Sequence, residues 1–124
     1  MRLTWILLLL FAPFLGWTQP TVNGTAQQLS CNCFRLTEAQ ISQSGQVWNS
    51  EQIDLTNAFD YTFDVYLGDD NAGADGIAFV LQPVSTQAGS NGGGMGFEGI
   101  SPSIAMAIDT YNNGPSDGDI AQDH

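Results

Sequence analysis

The sequence predicts an all-β fold, an antiparallel β-sandwich, and three observations carry that prediction. Phe59 to Leu67 alternates apolar and polar side chains, with Phe59, Tyr61, Phe63, Val65 and Leu67 on one face and Asp60, Thr62, Asp64 and Tyr66 on the other. That period of two is the signature of a strand whose apolar face meets a partner sheet. Gly76–Leu81 (GIAFVL) is apolar on both faces and reads as a central strand, and Ile104–Tyr111 reads as another. No long stretch carries apolar residues at helical spacing.

Taken in order, the chain opens with a leader. Residues 1–18 read as a secretory signal peptide, with Arg2 as the positive n-region and Trp5 to Leu15 as the apolar h-region. The run is shorter than the roughly 20 apolar residues of a membrane span. Cleavage is expected near Gln19, with Ala26 as an alternative. Residues 19–33 read as a polar lead-in, flexible from Thr21 to Ser30. The folded unit is expected at 34–124. Shorter strands are expected at Phe34–Leu36, Val47–Asn49 and Ile53–Leu55. Three long loops, Gly68–Asp75, Thr86–Gly96 and Asn112–Asp123, are rich in Gly, Asn, Asp and Ser, which suit left-handed backbone or bond their own main chain. A sandwich would need a further strand to pair with Ile104–Tyr111. The sequence therefore reads as truncated, the N-terminal half of a domain.

Charge narrows the function. There are 13 acidic residues against two Lys or Arg. Loss of Arg2 with the leader leaves Arg35 as the only fixed cation. Such a surface repels phosphate backbones, which excludes nucleic acid, and it repels anionic lipid, so no membrane insertion is expected after cleavage. The acids keep a secreted protein soluble. Set among Gly and Asn, they also suit a hard cation with oxygen ligands, above all calcium. Cys31 and Cys33 form a lone C-x-C pair, a weak zinc signal; in an oxidising compartment each can bridge to cysteines the chain lacks. No chemistry is assigned to them.

Three loops carry the candidate chemistry. In the last, Asp109 ends a strand, Asn113 follows four residues on, and Asp119 and His124 come after a turn. Calcium takes six to eight oxygens at about 2.3–2.6 Å. Asp109, the Tyr111 carbonyl, Asn113 and Asp119 can supply such a set, although turns use the same residue types. The segment Ile108-Asp-Thr-Tyr-Asn-Asn113, with Asp119 and His124 behind it, resembles the metal loop of the legume-type (L-type) lectins. The resemblance implies that Asp109 and Asp119 are calcium carboxylates. It implies that Tyr111 binds calcium through its carbonyl and stacks its ring on a sugar. Asn113 would bind calcium through its oxygen and sugar through its amide nitrogen. His124 would be a ligand of a second, transition-metal site. Plant members carry Glu two residues before the Asp as a ligand of that second metal. Here the position is Ala107, so calcium is expected without a structural manganese ion. Asp117 lies close enough to Asp119 to compete as the ligand.

The other two loops fit the same family. Gly73-Ala-Asp-Gly-Ile-Ala-Phe-Val-Leu81 looks like the family's Asp-Gly strand opening, which implies that Asp75 accepts hydrogen bonds from two sugar hydroxyls and that the bond before it is cis. Ser90-Asn-Gly-Gly-Gly-Met-Gly-Phe97 looks like the family's glycine-rich loop. There Gly93 matches the residue that donates its N–H to the sugar, with Gly94 as the neighbouring candidate. As a phosphate loop this segment fails, because no Lys follows and no helix begins. The resemblance spans about Phe34 to His124 and is closest to bacterial secreted members. It implies a concanavalin-like jelly roll, with the fourth specificity loop and further strands beyond the residues present here.

The leading expectation is a secreted or cell-surface module that binds glycans or glycoconjugates and depends on calcium. Its single sites would be shallow and weak, so multivalency would strengthen attachment, and a homo-oligomer is compatible with the sequence. The alternative is an adhesion or structural β-sandwich that uses calcium for folding alone. A glycoside hydrolase needs two carboxylates about 5–9.5 Å apart across a cleft. Glu38, Glu51 and Glu98 are isolated, and Asp60 and Asp64 sit on a strand face beside ordinary polar residues. An enzyme is therefore not expected.

Overall fold

The computed structural model describes residues 19–69, 73–112 and 114. The leader expected at 1–18 and most of the last loop, with Asn113, Asp119 and His124, lie outside them. The described residues form six strands and one short 3-10 turn. These are β1 (Thr21–Gly24), β2 (Gln27–Ser30), β3 (Cys33–Arg35), β4 (Gly45–Trp48), β5 (Gly76–Leu81) and β6 (Ile104–Asp109), with the turn at Gly92–Gly94. Every pairing is antiparallel, as expected. The strands form three separate ribbons, β1–β4, β2–β3 and β5–β6, in place of two large packed sheets.

β5 matches its expected bounds. Its apolar residues on both faces make it a strand whichever neighbour it meets. Its pairing with β6 sorts side chains by size. Ile77, Phe79 and Leu81 lie opposite Ile108, Met106 and Ile104, while Gly76, Ala78 and Val80 lie opposite Asp109, Ala107 and Ala105. Because alternate residues share a face, one side of the ribbon is large and apolar and the other is small. β6 ends at Asp109, two residues short of the expected limit, where the Tyr111 N–H turns back to Asp109 Oδ1 at 3.0 Å.

Phe59–Leu67 is a correction. Its nine alternating residues form no strand, because no other segment among the described residues supplies a hydrogen-bonding ladder. Alternation states which way side chains point, not what the backbone pairs with. The apolar face is nonetheless used at one point, where Phe63 stacks on Phe79 with ring centroids 5.5 Å apart. Ile53–Leu55 is a second correction. Asp54 accepts hydrogen bonds from the Thr56 N–H and hydroxyl and from the Asn57 amide, and this turn displaces the strand. These bonds, chiefly the Thr56 hydroxyl, hold the Asp54 carboxyl below the usual carboxylate range.

The polar lead-in is where β1 and β2 lie. Thr21–Gly24 pairs with Gly45–Trp48, and Gln27–Ser30 folds back on Cys33–Arg35. Arg35 completes the hairpin with a 2.7 Å bond to Gln27 Oε1 and a 2.9 Å ion pair with Glu38. Cys31 and Cys33 are exposed, unbridged thiols at the hairpin's tip.

No side chain among the described residues is fully buried. Ile104 is 70% and Met106 59% exposed on the large face of the β5–β6 ribbon, and Phe63 is 50% exposed beside it. Two outcomes are expected. The chain in isolation binds the dye ANS and melts without a cooperative transition, since an apolar face of this kind lacks its cover; a sharp two-state melt without dye binding contradicts this. In an NMR pH titration, Asp54 protonates below the usual carboxylate range, because the Thr56 hydroxyl and N–H bond its charged form. Because its folded pKa is depressed, its small stabilising contribution is present above the unfolded value and lost as pH falls through the folded one; titration of Asp54 at the unfolded-chain value contradicts it.

Candidate functional site

Asp75 and Asp109 lie 34 positions apart in sequence, yet the register of β5 and β6 brings them to one corner. Asp75 immediately precedes β5, and Gly76 lies opposite Asp109. Beyond that pair the backbones stay joined, because the Thr110 N–H donates to the Asp75 carbonyl at 3.1 Å. Asp75 and Asp109 are both half-buried. The Ala74–Asp75 peptide bond is cis.

Gly76 explains how closely the two strands meet. Its φ is +141°, and a Cβ there would run into the Ile108 carbonyl oxygen. Only glycine combines this conformation with so close an approach. The same Cβ would lie 3.1 Å from Met95 Sδ, so the Met95 side chain reaches over the corner from the glycine-rich loop. Sequence reasoning missed Met95. The only available signal was a lone thioether among glycines.

The glycine-rich loop is closed on itself. The Met95 N–H donates to the Gly92 carbonyl at 3.0 Å, and the Ser90 N–H donates to the Gly96 carbonyl at 3.2 Å. Met95 holds a left-handed conformation at φ 45° to finish the turn. The two candidate glycines differ. Gly94 packs against the Glu98 side chain, where a Cβ would collide, and its carbonyl accepts the N–H groups of Phe97 and Glu98. Gly93 is exposed, with no other group within 4 Å of its Cβ position.

On the metal side, the structure describes two members of the expected set. Asp109 supplies a carboxylate at the strand end. Tyr111 follows in the turn closed by Asp109 Oδ1, with its side chain 45% exposed. A second such turn follows, in which the Gly114 N–H donates to Asn112 Oδ1 at 2.8 Å. A carboxylate and a carbonyl within two residues are hard oxygen donors of the kind calcium prefers. Among the described residues, no cluster of three or more His, Cys, Asp or Glu side chains forms a metal site. Asn113, Asp119 and His124 are outside the described residues. Ala107 lies opposite Ala78 on the small face of the ribbon.

The corner thus presents one carboxylate from each strand end and an exposed phenol ring, and the loop whose Met95 reaches it carries an exposed glycine, Gly93. Such an arrangement can accept hydrogen bonds from hydroxyls, donate from a backbone N–H and stack a ring on C–H groups.

A family model described as the legume lectin beta-barrel domain matches residues 18–124. The pesticidal crystal protein Cry22Aa of Bacillus thuringiensis is 36% identical over 97 residues, which is 77% of this chain and 13% of that protein. The serine-rich adhesin for platelets of Staphylococcus aureus strain MRSA252 is 33% identical over 96 residues, 73% of this chain and 7% of the adhesin. In strain USA300 the same identity covers 4% of the adhesin. The chain therefore spans a small part of the curated relatives it matches. No solved structure matches the chain.

One substitution tests the corner's geometry. Gly76→Ala is expected to force the strands apart and to speed hydrogen exchange at the Thr110 amide by about tenfold or more, each tenfold being about 1.4 kcal/mol of local opening. Unchanged exchange contradicts the close approach.

Proposed function

The chain belongs to the L-type lectin domain family, and on that premise we propose that it is a secreted or cell-surface module that binds glycans with calcium. One observation carries the reading: the β5–β6 register sets Asp75 beside the Asp109 strand end. A sugar-binding carboxylate and a metal-binding carboxylate on adjoining strands let one ion order the site for the other.

In this reading Asp75 accepts hydrogen bonds from two sugar hydroxyls. Gly93 donates its N–H, which its exposure favours over Gly94. The exposed Tyr111 ring stacks on the sugar's C–H face. Asn113 donates its amide N–H to the sugar. Calcium is held by Asp109, the Tyr111 carbonyl, Asn113 and Asp119, and it supplies charge that fixes these ligands in place. A manganese site is not part of the proposal. His124 would be its ligand, but Ala107 brings no carboxylate to it.

The large face of the β5–β6 ribbon supports a sandwich, since its apolar residues call for a second sheet about 10 Å away. The relatives' names, a crystal protein and an adhesin, favour a role that is not enzymatic. Among the described residues, no helix is long and apolar enough to cross a membrane.

A second reading is adhesion without sugar, favoured by the adhesin relative. Two substitutions separate them. Asp75→Ala is expected to weaken binding to an array-selected glycan by more than about tenfold, the loss of charge-assisted bonds worth about 1.5–3 kcal/mol each, while calcium affinity in calorimetry stays unchanged. Asp109→Ala is expected to lose both. Full glycan binding by Asp75→Ala contradicts the assignment.

A further inference from the structure

The glycine-rich loop is attached to a part of the chain that the site itself does not include. The β1–β4 ribbon places Asn23 opposite Gln46, and alternation puts Ser44, Gln46 and Trp48 on that same face. Three of these four side chains donate to the loop's backbone. Asn23 Nδ2 donates to the Thr86 carbonyl at 2.7 Å, Trp48 Nε1 to the Ala88 carbonyl at 2.9 Å, and Ser44 Oγ to the Ser90 carbonyl at 2.8 Å. The donors span 23 to 48 and the acceptors 86 to 90, so each bond closes at least 40 residues of chain. All three are half-buried, where water competes less well for the same groups.

The acceptors are as regular as the donors. Thr86, Ala88 and Ser90 are alternate residues, so this stretch turns one row of carbonyls toward the ribbon. Gln46 fills the space between. Its Nε2 donates to Ser44 Oγ at 2.6 Å, and its amide lies flat against Gly89, where a Cβ would sit 2.7 Å from Gln46 Cδ. The Ser44 hydroxyl therefore accepts from Gln46 and donates to Ser90, which fixes its rotamer. Ser90 is also where the loop closes, through its N–H to the Gly96 carbonyl. The chain is thus held immediately before the turn that carries Gly93 and Met95.

We propose that Asn23, Ser44 and Trp48 are positioning residues that set the placement of the Gly92–Met95 turn over the Asp75–Asp109 corner. The proposal rests on the sugar-binding reading for its consequence but not for its geometry. The donors would touch neither sugar nor metal. They act through the loop backbone, and sugar affinity would depend on a face formed near the start of the chain.

The test uses the intact protein with calcium. Trp48→Phe keeps a smaller aromatic ring and removes the N–H. Ser44→Ala removes the hydroxyl, and Ser44→Thr restores it. In each loss variant the Met95 and Phe97 amides are expected to exchange with deuterium roughly fivefold to tenfold faster, as for the loss of one hydrogen bond, while β5 amides are unchanged. Ser44→Thr is expected to return to the wild-type rate. Binding to a glycan array is expected to weaken by a similar factor, with calcium affinity unchanged. Unaltered exchange at Met95 and Phe97 in both loss variants overturns the proposal. So does a loss of calcium affinity equal to the loss of glycan binding, which would mark a general structural role. If wild-type protein binds no glycan, the sugar-binding reading falls, and the exchange rates alone decide the clamp.

Discussion

Six residue pairs join β5 to β6, and the pair at their open end, Gly76 opposite Asp109, sets Asp75 beside the end of β6. Were the strands to slip by one residue, each side chain of one strand would turn to the other face. Ile77, Phe79 and Leu81 would leave the company of Ile108, Met106 and Ile104, and large residues would crowd the alanines. The size asymmetry of the two faces thus protects the register. The register in turn sets the Asp75 carbonyl against the Thr110 N–H and keeps Asp75 beside Asp109. Packing on the ribbon's face and chemistry at its end are two results of one alignment.

The glycine-rich loop meets that corner through Met95. Met95 reaches Gly76, while the stretch before it hangs from Asn23, Ser44 and Trp48. The loop is consequently fixed at both ends by groups far away in sequence. Its glycines leave the backbone open to a ligand without leaving its position free. A shallow site of this kind gains affinity by keeping its donors in place before the ligand arrives.

The strand β5 was legible from local pattern, whereas backbone pairing and the Asp54 turn were not. GIAFVL is apolar on both faces and forms β5 as read, and the motifs with Asp75 and Asp109 lie at the adjoining ends of β5 and β6. Phe59–Leu67 shows the limit: alternation identified a face that Phe63 does use against Phe79, but backbone pairing depends on a partner that no local pattern names. The opposite error fell on Thr21–Ser30. Its polar side chains read as a lead-in, yet Asn23 of β1 is used to hold the Thr86 carbonyl beside the Ser44 and Trp48 contacts of its ribbon. Ser44, Gln46 and Trp48 carry the strand period in a mixed polar and aromatic form, which hydrophobic patterning does not detect. At the site, the family motif favours Gly93 with Gly94 as its neighbour, and only the structure shows that Gly94 packs against Glu98 while Gly93 is open.

Membership of the L-type lectin family supplies the frame for these features. The proposed mechanism adds that metal and sugar share a corner built by one strand pair. The most direct test is glycan-array binding by the intact protein, with calcium and with a chelator. Binding is expected to disappear with the chelator and to return when calcium is restored. Binding that survives the chelator would contradict the dependence on calcium. Absence of binding by folded, calcium-loaded protein would contradict the sugar site itself.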